Sequence, residues 1–80
     1  MNNSNYQFQI QGAEVVLELH DQRSIRFSSQ LPARIAVGDG GYSEKGWLWC
    51  AFQEALIKAE VKLGESEEEA FESIWNKIPH

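Results

Sequence analysis

Four glycines, a serine placed to cap a helix and two tryptophans fall within 36-AVGDGGYSEKGWLWC-50. A glycine-rich turn between a strand and a helix start is the setting in which outward-pointing backbone amides bind phosphate. The spacing argues against that chemistry here. The run 38-GDGGYSEKG-46 matches neither GxxxxGK[ST] nor GxGxxG, and Asp39 and Glu44 would repel a phosphate. The stretch is read instead as a joint between two layers, where glycine supplies the angles of a tight crossing. Its tip, with Asp39 and Tyr42, is a candidate contact for a partner.

The remaining reactive side chains do not converge. His20 is placed on the polar face of a sheet beside a turn, and His80 is the last residue of the sequence. Neither has a histidine or cysteine neighbour in sequence with which to begin a metal site. Cys50 could be a nucleophile beside a distant histidine, but its setting in an apolar helix makes it a small packing residue. Glu14 and Glu18 could be neighbours on an exposed strand face, an ordinary place for solvated carboxylates. Eighty residues also leave little room for a buried pocket. No enzymatic activity, metal or cofactor is expected.

Charge is the positive signal. Twelve acidic against seven basic side chains give a net charge of −5. The few lysines and arginines are scattered, which argues against direct binding to DNA or RNA, where cations must displace phosphate counterions. An acidic chain is suited to meeting a basic protein surface. The densest run is Glu65, Glu67, Glu68, Glu69 and Glu72. Acids in the first turn of a helix offset its positive end. With Glu54 and Glu60 on the preceding helix they also form a negative surface able to complement a basic partner.

These residues need elements to hold them. Tyr6, Phe8 and Ile10 alternate with Gln7, Gln9 and Gln11, and Val15, Leu17 and Leu19 alternate in the next segment. Gly12-Ala13 between them suits a type II′ hairpin turn, which pairs Ile10 with Val15, Phe8 with Leu17 and Tyr6 with Leu19. A third strand over 24–29 carries Ile25 and Phe27 in phase if the connecting loop has an odd length, most simply Asp21-Gln22-Arg23. One face of this meander is apolar; the other carries the glutamines, Glu14, Glu18, His20, Ser24 and Arg26. The segment 33-ARIAV-37 is a candidate fourth strand.

A helix is expected from about Glu44 to Leu63, capped by Ser43 and stopped at Gly64. Leu48, Ala51, Phe52, Ala55, Leu56, Ala59 and Leu63 form its main stripe, with Trp49 at the margin. Cys50, Ile57 and Val61, with Trp47 near their edge, form a second stripe, for which a second helix is the favoured cover. That helix opens at Ser66 with the capping box 66-SEEE-69 and presents Ala70, Phe71, Ile74, Trp75 and Ile78. The expected fold is α+β in two layers: a three-stranded antiparallel meander packed on one face by two C-terminal helices, residues 1–80 forming one domain.

One cysteine permits no intramolecular disulfide. No run is long enough for a membrane span, and 1-MNNSNYQF-8 lacks the features of a signal peptide. A cytoplasmic protein is expected. The size, the negative charge, the small sheet-plus-helices core, the helix 46-GWLWCAFQEALIKAEVKLG-64 and the lack of an enzymatic constellation together resemble the small acidic inhibitors encoded by phages and other mobile elements, above all the anti-CRISPR proteins. The resemblance spans the chain and has no motif behind it. It implies a stoichiometric inhibitor, acting in the host cytoplasm, that occupies a basic surface of a nucleic-acid-binding effector. The expected binding residues, taken from charge and position, are Glu60, Glu65, Glu67, Glu68, Glu72, Asp39, Tyr42 and Trp47. The competing expectation is a structural or regulatory homodimer joined through the second apolar stripe or a sheet edge.

Overall fold

The computed structural model describes residues 6–30 and 43–78. The candidate fourth strand and the glycine joint lie outside these residues. Within them the chain forms strands β1 (Gln7–Gln11), β2 (Glu14–Glu18) and β3 (Ser24–Ser28), then helices α1 (Glu44–Lys58) and α2 (Glu65–Lys77). The sheet is open and antiparallel, in the order β1-β2-β3. Both helices bury their apolar stripes in the same core, giving the expected α+β arrangement.

The first hairpin follows its sequence. Ile10 pairs with Val15 and Phe8 with Leu17, around Gly12-Ala13. Gly12 has φ +63° while Ala13 keeps a negative φ, as a type II′ turn requires. Val15 and Leu17 on the central strand are fully buried, and Phe8 and Ile10 on β1 are half-buried.

The second hairpin keeps its expected face but not its expected register. Ile25 pairs with Leu17 and Phe27 with Val15, rather than with Leu19 and Leu17. The loop is His20-Asp21-Gln22, closed by bonds from the Leu19 amide to the Arg23 carbonyl (2.7 Å) and from the Gln22 amide to the Leu19 carbonyl (3.1 Å). Gln22 takes the left-handed position, φ 76°, which completes a three-residue turn. Asp21 fixes it by accepting from the Arg23 amide at 3.1 Å and the Arg23 Nε at 2.7 Å. Those bonds hold the Asp21 carboxyl below its ordinary pKa, the backbone bond from Arg23 contributing most. His20 is therefore a turn residue, not a member of the polar sheet face, and its ring stacks on Tyr6 at 4.1 Å.

Helix α1 starts as expected, with Ser43 Oγ accepting from the Gly46 amide at 3.0 Å. It ends earlier. The Val61 amide bonds the Leu56 carbonyl at 2.9 Å and the Glu60 amide bonds the Ile57 carbonyl at 3.0 Å, with Glu60 at φ 62°. This is a Schellman stop with a glutamate where glycine is usual. Gly64 is the N-cap of α2 instead, and Ser66 lies inside the helix. Only the returning half of a capping box exists: the Gly64 amide donates to Glu67 Oε1 at 2.9 Å.

Two non-glycine residues in left-handed backbone give a direct test. Such a conformation costs an L-residue roughly 1–2 kcal/mol, partly offset by glycine's greater freedom when unfolded. Gln22→Gly and Glu60→Gly should each stabilise the protein by about 0.5–1 kcal/mol, read as an upward shift in thermal melts. Glu60→Gly should gain more, because it also removes an anion from the negative end of α1.

The core joins the sheet to both helices. Leu48, Phe52, Ala55 and Leu56 of α1 and Ala70, Phe71 and Ile74 of α2 are buried with Val15, Leu17, Leu19, Ile25 and Phe27. Helix α2 does not cover the second stripe of α1. Cys50 is exposed and Ile57 is 73% exposed, while Val61 is partly buried against the core. The reason is that α2 spends its stripe on the main core: Phe71 meets Trp49 at 4.8 Å and Phe52 at 5.6 Å. Among the described residues no helix is long and apolar enough to cross a membrane.

Candidate protein-binding surface

The acidic residues of α2 divide by helical geometry. Glu65, Glu68, Glu69 and Glu72 lie at spacings of three, four and seven, which place them on one face, and all four are exposed. Among the described residues no basic side chain comes within ion-pair distance of Glu65, Glu68 or Glu69. Glu72 pairs with Lys45 of α1 at 3.2 Å, and the Lys45 ammonium stands 5.9 Å from the centre of the Trp75 ring.

Glu67 belongs to the fold rather than to this face. It is half-buried. One oxygen accepts from the Gly64 amide, and the other accepts from the Tyr6 hydroxyl. Tyr6 is sixty-one residues away in sequence, so this contact ties the entry of β1 to the first turn of α2. Burial raises the Tyr6 phenol well above its ordinary pKa of 10.0, and the hydrogen bond and negative charge of Glu67 add to the rise.

The other expected binding residues are scattered. Glu60 is exposed in the connection after α1, and Trp47 is half-buried in the first turns of α1. Asp39 and Tyr42 lie outside the described residues. Glu54, also counted in the negative surface, is exposed and pairs with Lys58 at 3.8 Å. Of the eight residues expected, the structure thus brings three, Glu65, Glu68 and Glu72, onto one face and assigns Glu67 a structural task. Glu69 joins that face from the acidic run.

Beside this face lies a shallow open groove of about 260 Å³ lined by Trp49, Phe71, Glu68 and Glu72. Its aromatic floor and carboxylate rim suit a cationic side chain, since aromatic faces and carboxylates both attract cations. The sequence places Trp49 at the margin of the α1 stripe and Phe71 within the stripe of α2, without a groove between the helices. Their partly shared surface depends on the crossing of α1 and α2, which periodicity along one helix does not encode.

No family model, curated protein or solved structure matches this chain.

The other groupings considered in the sequence can be placed only in part. Glu14 and Glu18 share a strand face but stand four residues apart, about 13 Å at the rise of a strand, and Glu14 pairs with Arg26 at 2.9 Å. They are not neighbours. Among the described residues no three histidine, cysteine, aspartate or glutamate side chains are grouped to hold a metal ion. Cys50 faces outward instead of packing.

Proposed function

We propose that this protein is a non-enzymatic inhibitor that binds another protein through the exposed acidic face of α2. The carrying observation is that Glu65, Glu68 and Glu69 present negative charge with no basic neighbour in ion-pair range among the described residues. Three uncompensated carboxylates on one helix face complement a basic surface, speed encounter with it and reject acidic competitors. A basic surface on a nucleic-acid-binding protein is the partner of matching chemistry. On the resemblance stated above, that partner is a host defence effector such as a CRISPR complex, and the source of the chain is a phage or mobile element. The acidic face would compete there with nucleic-acid phosphates. A lysine or arginine of the partner fits the groove against the Trp49 ring, with Glu68 and Glu72 at its rim.

The test is a DNA-binding assay with a purified CRISPR effector, titrated with this protein at several salt concentrations. Stoichiometric, salt-sensitive loss of DNA binding is expected. The triple variant Glu65→Lys, Glu68→Lys, Glu69→Lys should weaken inhibition by about a hundredfold or more, given the several kcal/mol that like-charge contacts cost. The variant should stay folded but melt several degrees lower, because lysines in place of Glu65 and Glu68 meet the positive end of α2; the fold of each preparation is checked by its melting curve. Undiminished inhibition by a folded triple variant would remove this face from the mechanism.

A further inference from the structure

The free edge of β1 has a different chemistry from the acidic face. The Leu19 amide bonds the Arg23 carbonyl, and the Ser29 amide bonds the Ala13 carbonyl, so the odd-numbered residues of β2 turn their backbone toward β3. Alternation in an antiparallel ladder then directs its even-numbered residues toward β1, where they pair with Gln7, Gln9 and Gln11. The backbone N–H and C=O groups of Phe8 and Ile10 consequently point to the outer edge. Among the described residues no strand pairs with that edge.

Exposed edges are ordinarily protected by charge, proline or a bulge. The sequence 7-QFQIQ-11 has neither charge nor proline, and its pairing with β2 runs without a bulge. The side chains on its core-facing side are also incompletely covered. Phe8 and Ile10 are half-buried, whereas their partners Leu17 and Val15 are fully buried. An open groove of about 620 Å³ lined by Tyr6, Gln7, Phe8, Ile10 and Lys77 runs beside the strand.

We propose that this edge pairs with the same edge of a second copy of the chain. An antiparallel two-fold arrangement centred on Gln9 sets Phe8 opposite Ile10 of the other copy, and Ile10 opposite its Phe8. The residues whose backbone groups point outward are then the ones that exchange hydrogen bonds. Each half-buried apolar side chain meets an apolar neighbour on the helix side, and glutamine meets glutamine on the other. Self-complementarity selects a second copy for this site: reversed about Gln9, QFQIQ sets apolar against apolar and glutamine against glutamine, and β1 is the one strand of the three with no charged residue, so two chains of net charge −5 repel least along it. A five-residue strand is only about 17 Å long, so the interface is small and the dimer weak, with Kd on the order of 100 µM.

Sedimentation equilibrium from about 10 µM to about 1 mM, bracketing that Kd, should show a monomer passing to a dimer. Gln9→Lys and Gln9→Glu alter an exposed side chain that faces its own counterpart across the two-fold axis. Each alone should weaken dimerisation about tenfold, and an equimolar mixture of the two should restore it, because unlike charges then meet. Amide exchange supplies a second reading: the Phe8 and Ile10 amides should slow with rising protein concentration, while that of Gln9, bonded to β2, should not. A chain that stays monomeric throughout overturns the proposal, including the case in which residues 33–37 occupy the edge. So does a dimer indifferent to both Gln9 variants.

Discussion

Phe52→Ala is expected to cost the fold about 3–5 kcal/mol, more than any other substitution considered for this chain. Phe52 is fully buried and is the point where the layers meet. Its ring contacts Phe27 of β3 edge-on at 5.6 Å, Trp49 at 5.9 Å and Phe71 of α2 at 5.6 Å. Truncating a buried phenylalanine costs about 3–5 kcal/mol through lost transfer energy and the cavity left behind. A chain of eighty residues has a total stability of only about 4–12 kcal/mol, at a size where one core is barely sufficient. The loss thus removes between about a quarter and the whole of what is there. Phe52→Leu, which keeps much of the volume, should cost about 1–1.5 kcal/mol and remain folded. Ile57→Ala, on the exposed face of α1, should stay within about 0.5 kcal/mol of the parent. Urea titrations followed by tryptophan fluorescence distinguish the three; a Phe52→Ala protein within about 1 kcal/mol of the parent would show that the layers do not depend on this ring.

What the sequence made legible was local. The first hairpin was readable because a Gly-X turn and two alternating strands fix one another's register over ten residues, with Ile10 and Val15 agreeing on the answer. The main stripe of α1 and that of α2 were readable for the same reason, each being a periodicity within one element. The second hairpin and the end of α1 were misread at two residues of one kind. Gln22 and Glu60 occupy left-handed positions where glycine is the expected marker, so the sequence pattern sets the turn one residue late and runs the helix on to the next glycine, Gly64. Asp21 holds the missing information, because an aspartate whose carboxylate accepts from the amide two residues on stabilises such a turn without glycine. The fate of the second stripe, Cys50 and Ile57, depended on which side α2 docks, and that is decided by tertiary packing around Phe52 and Trp49. The acidic face was legible as a helical repeat of carboxylates. That one of them, Glu67, faces inward was not, since its partner lies at the opposite end of the chain.

Glu67→Ala therefore separates the structural carboxylate from the surface ones. Removing it leaves the Gly64 amide and the Tyr6 hydroxyl, both partly buried, without their acceptor. Unmatched groups of this kind cost about 1–3 kcal/mol, so a loss of about 2 kcal/mol and roughly 10 °C in melting temperature is expected for a domain of this size. Glu68→Ala, one residue along and exposed, should change stability by less than about 0.5 kcal/mol. Glu67→Gln should fall between, since its amide oxygen can still accept from Gly64. The contact also has a pH signature. Because the folded state holds the Tyr6 proton more tightly than the unfolded chain does, its contribution is fully present below the unfolded phenol pKa of 10.0 and is lost as pH rises beyond it. Tyr6→Phe should flatten the alkaline limb of the stability curve. Glu67→Gln should make it shallower, because the charge that helps to raise the phenol is gone. An alkaline limb identical in all three proteins would mean that Tyr6 and Glu67 are not coupled, and that β1 and α2 are held together by the apolar core alone.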